Sequence, residues 1–123
     1  MLLVLLLACV AGPSKSPPPL TRGERLDPDS CAGCHPDHHN EWSGSMHAHA
    51  GDDPVFIAMN AYGQRQTDGA LGDFCVRCHA PVALAEGLTT DGTNLGDLDP
   101  GLRGVGCYAC HQIDQVTGTH NNA

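Results

Sequence analysis

Six cysteines and three histidines of this 123-residue chain belong to one repeated pattern, Cys-x-x-Cys-His. Two thiols three residues apart on a tight turn can add to the two vinyl groups of a haem, and the adjacent imidazole then binds the iron as its proximal ligand. The pattern therefore predicts three covalent c-type haems. The three copies are Cys31-Ala32-Gly33-Cys34-His35, Cys75-Val76-Arg77-Cys78-His79 and Cys107-Tyr108-Ala109-Cys110-His111.

Paired cysteines have two other uses, which remain as alternatives. Structural zinc sites are also built from C-x-x-C pairs, but they do not need a histidine directly after each second cysteine, as all three pairs have here. Disulfides across such short loops would be strained and would stabilise little, because the effect of a cross-link grows with loop length. A covalent haem mass would exclude a haem-free zinc module.

The composition offers few side chains for an apolar core. Aromatic residues make up 4% of the chain, which also contains 15 Gly and 9 Pro, and no convincing strand-like alternation occurs. Three porphyrins would supply large apolar bodies for the chain to wrap around. We therefore expect a fold of mostly short α-helices and coil around haems, with no substantial sheet, and a haem-free chain that is largely unfolded.

Capping residues and prolines predict where helices begin. Asp27-Pro28-Asp29-Ser30 has helix-start chemistry, Pro36 is expected to open a helix over residues 36–46, and Asp53-Pro54 one that ends at Gly63. Residues 81–86 should form a short helix and residues 112–116 prolong another, whereas residues 88–106 have the composition of an irregular loop. On the helix after Asp53, helical spacing groups Val55, Ala58, Met59 and Tyr62, and we expect Met59 and Tyr62 to pack against a haem rather than bind iron.

The chain opens with an apolar stretch over residues 1–8, too short to span a bilayer but typical of a secretory signal, although no Lys or Arg precedes Lys15. Leu6-Leu7-Ala8-Cys9 resembles a bacterial lipobox, so Cys9 is a candidate lipid anchor, with a plain cleaved signal as the alternative. Residues 9–20 are a Pro- and Ser-rich tether. Residues 21–123 are then a trihaem domain, expected to be truncated at its C-terminus, in a periplasmic or other extracytoplasmic protein.

The formal net charge is −8. Without a basic patch to contact phosphate, nucleic acid is not expected as a partner. An acidic electron carrier suits redox partner proteins that have a basic docking face.

Five histidines remain outside the motifs. An imidazole on the distal side of a haem gives a six-coordinate, low-potential iron suited to electron transfer, whereas an empty position permits ligand chemistry. As a group, these residues are expected to be iron ligands rather than solvated surface. They are His38, His39, His47, His49 and His120.

Two stretches outside the haem motifs indicate a narrower group of c-type cytochromes than the motifs do alone. They are residues 42–48, Trp-Ser-Gly-Ser-Met-His-Ala, and Gly104-Val105-Gly106 before the third motif. With the motifs, they resemble the tetrahaem cytochrome c family typified by the electron acceptor of hydroxylamine oxidoreductase, over about residues 27 to 120. The resemblance implies that His47 binds the iron held by His111, and His120 the iron held by His35.

In that family the second haem can lack a distal protein ligand, which would leave the iron at His79 open or bound by a spare histidine such as His49. The family's fourth haem motif is absent here. His38 and His39 have no counterpart in it, and contact with solvent or haem propionates is expected for them.

The sequence thus predicts electron transfer by a multihaem cytochrome c, because no acid–base or nucleophilic arrangement is evident. The alternative is an enzyme or enzyme subunit that converts a small nitrogen or oxygen species at an open haem held by His79.

Overall fold

Short helices joined by turns and coil make up residues 18–116 and residue 118, which are the part of the chain that a computed structural model describes. Within this part there is no strand, so the predicted class of short helices and coil is confirmed. None of the described helices is long and apolar enough to cross a bilayer. The α-helices are α1 (Arg22–Leu26), α2 (Pro36–Ser43), α3 (Pro54–Gln66), α4 (Val76–His79), α5 (Pro81–Ala85) and α6 (Cys107–His111), and 3₁₀ turns cover Pro28–Cys31, Leu95–Asp97 and Pro100–Leu102.

The helix starts follow the predicted capping chemistry. The Asp53 carboxylate accepts a hydrogen bond from the Phe56 amide at 2.7 Å, and Pro54 is the first residue of α3. Pro36 opens α2 in the same way, after a non-helical His35. Asp27 caps the 3₁₀ turn before the first motif by accepting from the Asp29 amide at 3.0 Å.

Three helix ends differ from the prediction. α2 stops at Ser43, directly before Gly44, and does not reach Met46. α3 continues past Gly63 to Gln66, because a glycine inside a helix costs only about 1 kcal/mol and here it makes room for the side chain of Leu71. Residues 112–116 do not prolong α6; they are exposed after a single turn, with no packing to hold them in a helix.

The buried apolar side chains surround the second motif, where Phe56, Val76, Ala80, Ala83 and Leu95 form one cluster. The core is therefore built on α3, α4 and α5, and the loop that follows α5 closes it through Leu95.

α3 packs on the protein through a different face from the one predicted to contact a haem. The helix buries Phe56, Asn60 and Gln64, whereas Met59 and Tyr62 are 62% and 53% exposed. Two of the three inward residues are amides, so apolar periodicity could not select this face. Their NH₂ groups hold the loop after α5, since both donate to the Asp91 carbonyl, at 2.8 and 3.2 Å.

Close backbone packing joins the turn after α2 to the segment before the third motif. The Val105 amide donates to the His47 carbonyl at 2.8 Å. A Cβ on Gly104 would lie 2.7 Å from that carbonyl oxygen, and a Cβ on Gly51 would overlap the carbonyl of Arg103. Only glycine permits this approach at either position. The segments 47–51 and 103–106 are thus held together with no side chain between them.

The predicted signal (residues 1–8), Cys9 and His120 lie outside the described residues, as does most of the predicted tether.

Candidate haem-binding sites

Each Cys-x-x-Cys-His motif winds as one helical turn. The His35 amide donates to the Cys31 carbonyl at 2.9 Å, and the His79 amide donates to the Cys75 carbonyl at 3.2 Å. The third motif is helix α6 itself. Residues three and four apart share one side of a helix, so this turn brings both thiols and the imidazole of each motif to the same side.

The two cysteines of each motif differ in exposure, and they differ in the same way in all three motifs. The first cysteine is half-buried and the second is exposed to solvent. Each motif therefore anchors one thiol in the protein and presents the other at the surface. The half-buried cysteines are Cys31, Cys75 and Cys107, and the exposed ones are Cys34, Cys78 and Cys110.

The first and third motifs share one cavity of about 500 Å³. Burial, together with the neighbouring Cys107 thiol, raises the pKa of the Cys31 thiol. The volume is in the range of cofactor sites. Cys31, His35, Cys107 and His111 all line the cavity, so two motifs 76 positions apart in sequence open into the same space.

The second motif lies in the core, and its histidine is held on two sides. The His79 Nδ1 is 2.7 Å from the carbonyl oxygen of Ala50, which can only accept, so Nδ1 carries the proton. The Phe56 ring stacks on the imidazole with the ring centroids 3.9 Å apart and the planes 6° apart. Nε2 is thereby the nitrogen left with a lone pair for a metal.

The structure places two of the predicted distal ligands. His47 is exposed, and its backbone bonds to the segment before the third motif. His49 is also exposed and lines a smaller cavity of about 240 Å³ beside Pro28 and Trp42. His120, the third, lies outside the described residues.

His38 and His39 both line the cavity shared by the first and third motifs. His38 is exposed, and its ring lies 6.2 Å from that of His35, centroid to centroid. His39 is half-buried, with Nε2 2.9 Å from an Asp29 carboxylate oxygen.

Sequence reasoning missed the partners of His79. Asp53-Pro54 located the start of α3, and a helix that starts there has Phe56 in its first turn, but nothing in the spacing pairs this side chain with a motif that begins 19 residues later. The Ala50 carbonyl has no side-chain signal at all. That Cys31 and Cys107 line one cavity is a result of the tertiary fold, which motif spacing does not reveal.

The residues present fit a covalently attached haem. Each motif has two thiols and an imidazole on one side, the shared cavity has a suitable volume, and His79 presents one free ring nitrogen. Among residues 18–116, no three or more His, Cys, Asp or Glu side chains are grouped so that they could hold a bare metal ion.

Comparison with known proteins agrees with this chemistry. No curated protein and no solved structure gives a match to the chain. The sequence profile of one family, described as cytochrome c554 and c-prime, matches residues 30–112, well over half of the chain and all three motifs. The chain therefore belongs to the cytochrome c554 and c-prime family, c-type cytochromes that transfer electrons by means of covalently bound haem c.

Proposed function

We propose that this protein is an extracytoplasmic electron carrier with three haems, one attached to each Cys-x-x-Cys-His motif. The observation that carries the proposal is the repetition of one local geometry: each motif is a helical turn with one cysteine half-buried, one exposed and the histidine on the same side. The haem iron supplies the reversible one-electron change. The chain's own residues bind it, orient it and set its surroundings.

Electron exchange between the first and third sites needs no moving part. Cys31 and Cys107 line the same cavity, so the two attachment points are neighbours that open into one space. The glycine packing holds segment 47–51 against segment 103–106, which leads directly into the third motif. These features favour closely packed haems at the first and third sites rather than haems that are isolated from each other.

We assign the distal ligands as the family resemblance implies. His47 binds the iron held by His111, and support comes from its place in the turn bonded to Val105, two residues before Cys107. His120 binds the iron held by His35. The iron held by His79 is open or takes a spare histidine such as His49.

The redox partner is a protein with a basic docking face. No Lys or Arg occurs between Arg25 and Arg65, whereas six acidic residues do. This stretch includes the first motif and α2, which buries none of its residues. Such a surface favours encounter with a cationic partner and disfavours nucleic acid. The acidic residues are Asp27, Asp29, Asp37, Glu41, Asp52 and Asp53.

The protein is exported through the signal at residues 1–8, and Cys9 is its lipid anchor. Covalent haem attachment of this kind belongs to an extracytoplasmic compartment, which agrees with this start of the chain. Membrane-fraction recovery of the wild-type protein, and its release by Cys9→Ala, would support the anchor; a mature mass without lipid would exclude it.

The test of the central proposal is the intact mass of protein made in cells with haem-maturation machinery. We expect a mass increase of three haems that survives acid acetone, and a loss of one haem each from the pairs Cys31→Ala/Cys34→Ala, Cys75→Ala/Cys78→Ala and Cys107→Ala/Cys110→Ala. A colourless protein would overturn the proposal, and a different haem number would overturn the count. A reduced iron at His79 that turns over nitrite or hydroxylamine would instead identify an enzyme.

A further inference from the structure

We propose that Phe56 is a positioning residue for the haem at the second motif, acting with the Ala50 carbonyl to hold the His79 imidazole in one tautomer and one orientation. The inference rests on the proposed function, since it assumes that His79 binds haem iron. It goes further by naming which residues set the electronic character of that one site.

The geometry restricts the ring from two directions. The hydrogen bond from Nδ1 to the Ala50 carbonyl, at 2.7 Å, fixes which edge of the imidazole faces the protein. Phe56 covers the face of the same ring almost in parallel, at 3.9 Å and 6°. Rotation about the bond to the imidazole would break the first contact and collide with the second. His79 is therefore held in the plane that both contacts define.

Both contacts come from one short, well-anchored segment. Ala50 lies in the turn that packs on residues 103–106, and Phe56 lies in the first turn of α3. The Asp53 carboxylate between them caps the helix by accepting from the Phe56 amide at 2.7 Å. Phe56 is 8% exposed and belongs to the buried cluster, so its ring has little freedom to move.

The other two motif histidines are in a different environment. His35 and His111 are exposed and line the shared cavity, whereas His79 is half-buried against the core. At the second site, contacts within the protein thus fix the orientation of the His79 imidazole.

A hydrogen bond from the outer nitrogen of a ligating imidazole makes the ligand more basic and stabilises the oxidised iron. The contacts of Phe56 and Ala50 with the His79 ring should therefore lower the reduction potential of the second haem. Weakening these contacts should raise that potential and change the plane of the imidazole, while the potentials of the other haems stay unchanged.

The experiment compares Phe56→Leu with the wild-type holoprotein by spectroelectrochemistry and by the paramagnetic shifts of the haem methyl groups in the ferric state, which report the plane of the axial imidazole. The resonances that disappear in Cys75→Ala/Cys78→Ala identify the second haem. We expect Phe56→Leu to shift these resonances and to move one potential upward, leaving the others in place. If Phe56→Leu does not accumulate, Phe56→Met provides the same test.

Two controls separate positioning from stability. Phe56→Tyr keeps the stacked ring and should retain wild-type shifts and potentials. Leu95→Ala opens a cavity in the same cluster but removes neither the Ala50 nor the Phe56 contact of His79, so it should lower the melting temperature and leave the second-haem signals unchanged. Unchanged signals in Phe56→Leu, or equal changes in Leu95→Ala, would overturn the inference. Retention of every haem in Cys75→Ala/Cys78→Ala would instead overturn the proposed function.

Discussion

The indole N–H of Trp42 donates to the carbonyl oxygen of Val105 at 2.8 Å, across 63 positions of sequence. Trp42 lies on α2, just after the first motif, and Val105 lies just before the third. One hydrogen bond therefore links the two motifs that share a cavity, and it acts beside the backbone bond between Val105 and His47.

Trp42→Phe removes this donor and leaves the part-buried Val105 carbonyl without its partner. We expect a loss of about 1–2 kcal/mol in the free energy of unfolding. Denaturant titration of the holoprotein, followed by haem absorbance, measures it. Ser43→Ala, which removes an exposed hydroxyl on the same helix, is the control and should change little; equal midpoints for Trp42→Phe and Ser43→Ala would contradict the prediction.

Gly104→Ala and Gly51→Ala test the close approach of the two glycine segments. Each added methyl group would meet backbone atoms, of Ala48 and His47 in one case and of Arg103 in the other. Overpacking of this kind costs about 1–3 kcal/mol. Gly44→Ala is the matched control, because nothing lies within 4 Å of its Cβ position. Thermal melts should separate the first two variants from the third, and three equal melting temperatures would rule out a tight contact.

His47→Ala tests the distal ligand of the third haem. Loss of an axial imidazole should turn one low-spin haem high-spin, visible in ferric absorption and EPR spectra. His38→Ala, an exposed histidine next to the first motif, is the comparison and should leave the spin state of every haem as in the wild type. A spectrum of His47→Ala with no more high-spin haem than the wild type would show that the assignment is wrong.

The acidic stretch predicts salt-dependent association with a lysine-rich redox protein. Glu41→Gln removes one negative charge on α2, and Gln66→Lys adds one positive charge at the end of α3, so the two variants have the same net charge. We expect Glu41→Gln to slow bimolecular electron transfer more than Gln66→Lys does, with the difference vanishing at high ionic strength. Stopped-flow rates at several salt concentrations measure this, and identical rates would remove the first-motif face as the docking surface.

A haem-free chain should be largely unfolded. Within the described residues, six apolar side chains are buried, too few to offset the conformational entropy of the ordered chain. Protein made without haem-attachment machinery should show little helical circular dichroism and no cooperative melt. A cooperative transition in that material would contradict the prediction.

Local chemistry was predictable from the sequence. Asp53, Pro36 and Pro81 begin helices where their capping and backbone restrictions place them, and the three motifs wind as their spacing requires. Each of these features depends on residues within one helical turn of each other, so it can be predicted from adjacent residues in the sequence.

Features that depend on distant contacts were not predictable. Phe56 contacts His79 from another helix, and Asn60 and Gln64 face inward because their amides bond a loop. The sequence predicts a helix end at Gly63, but α3 continues and the missing side chain makes room for Leu71. In each case a tertiary contact outweighs the local preference.

The cation-free stretch between Arg25 and Arg65 also governs how the molecule would lie on a charged solid. Adsorbed on an amine-coated electrode, it would turn the side that contains Asp37 and Glu41 toward the electrode surface. Current would then enter next to Cys34, and a carboxylate-coated electrode would present the opposite orientation.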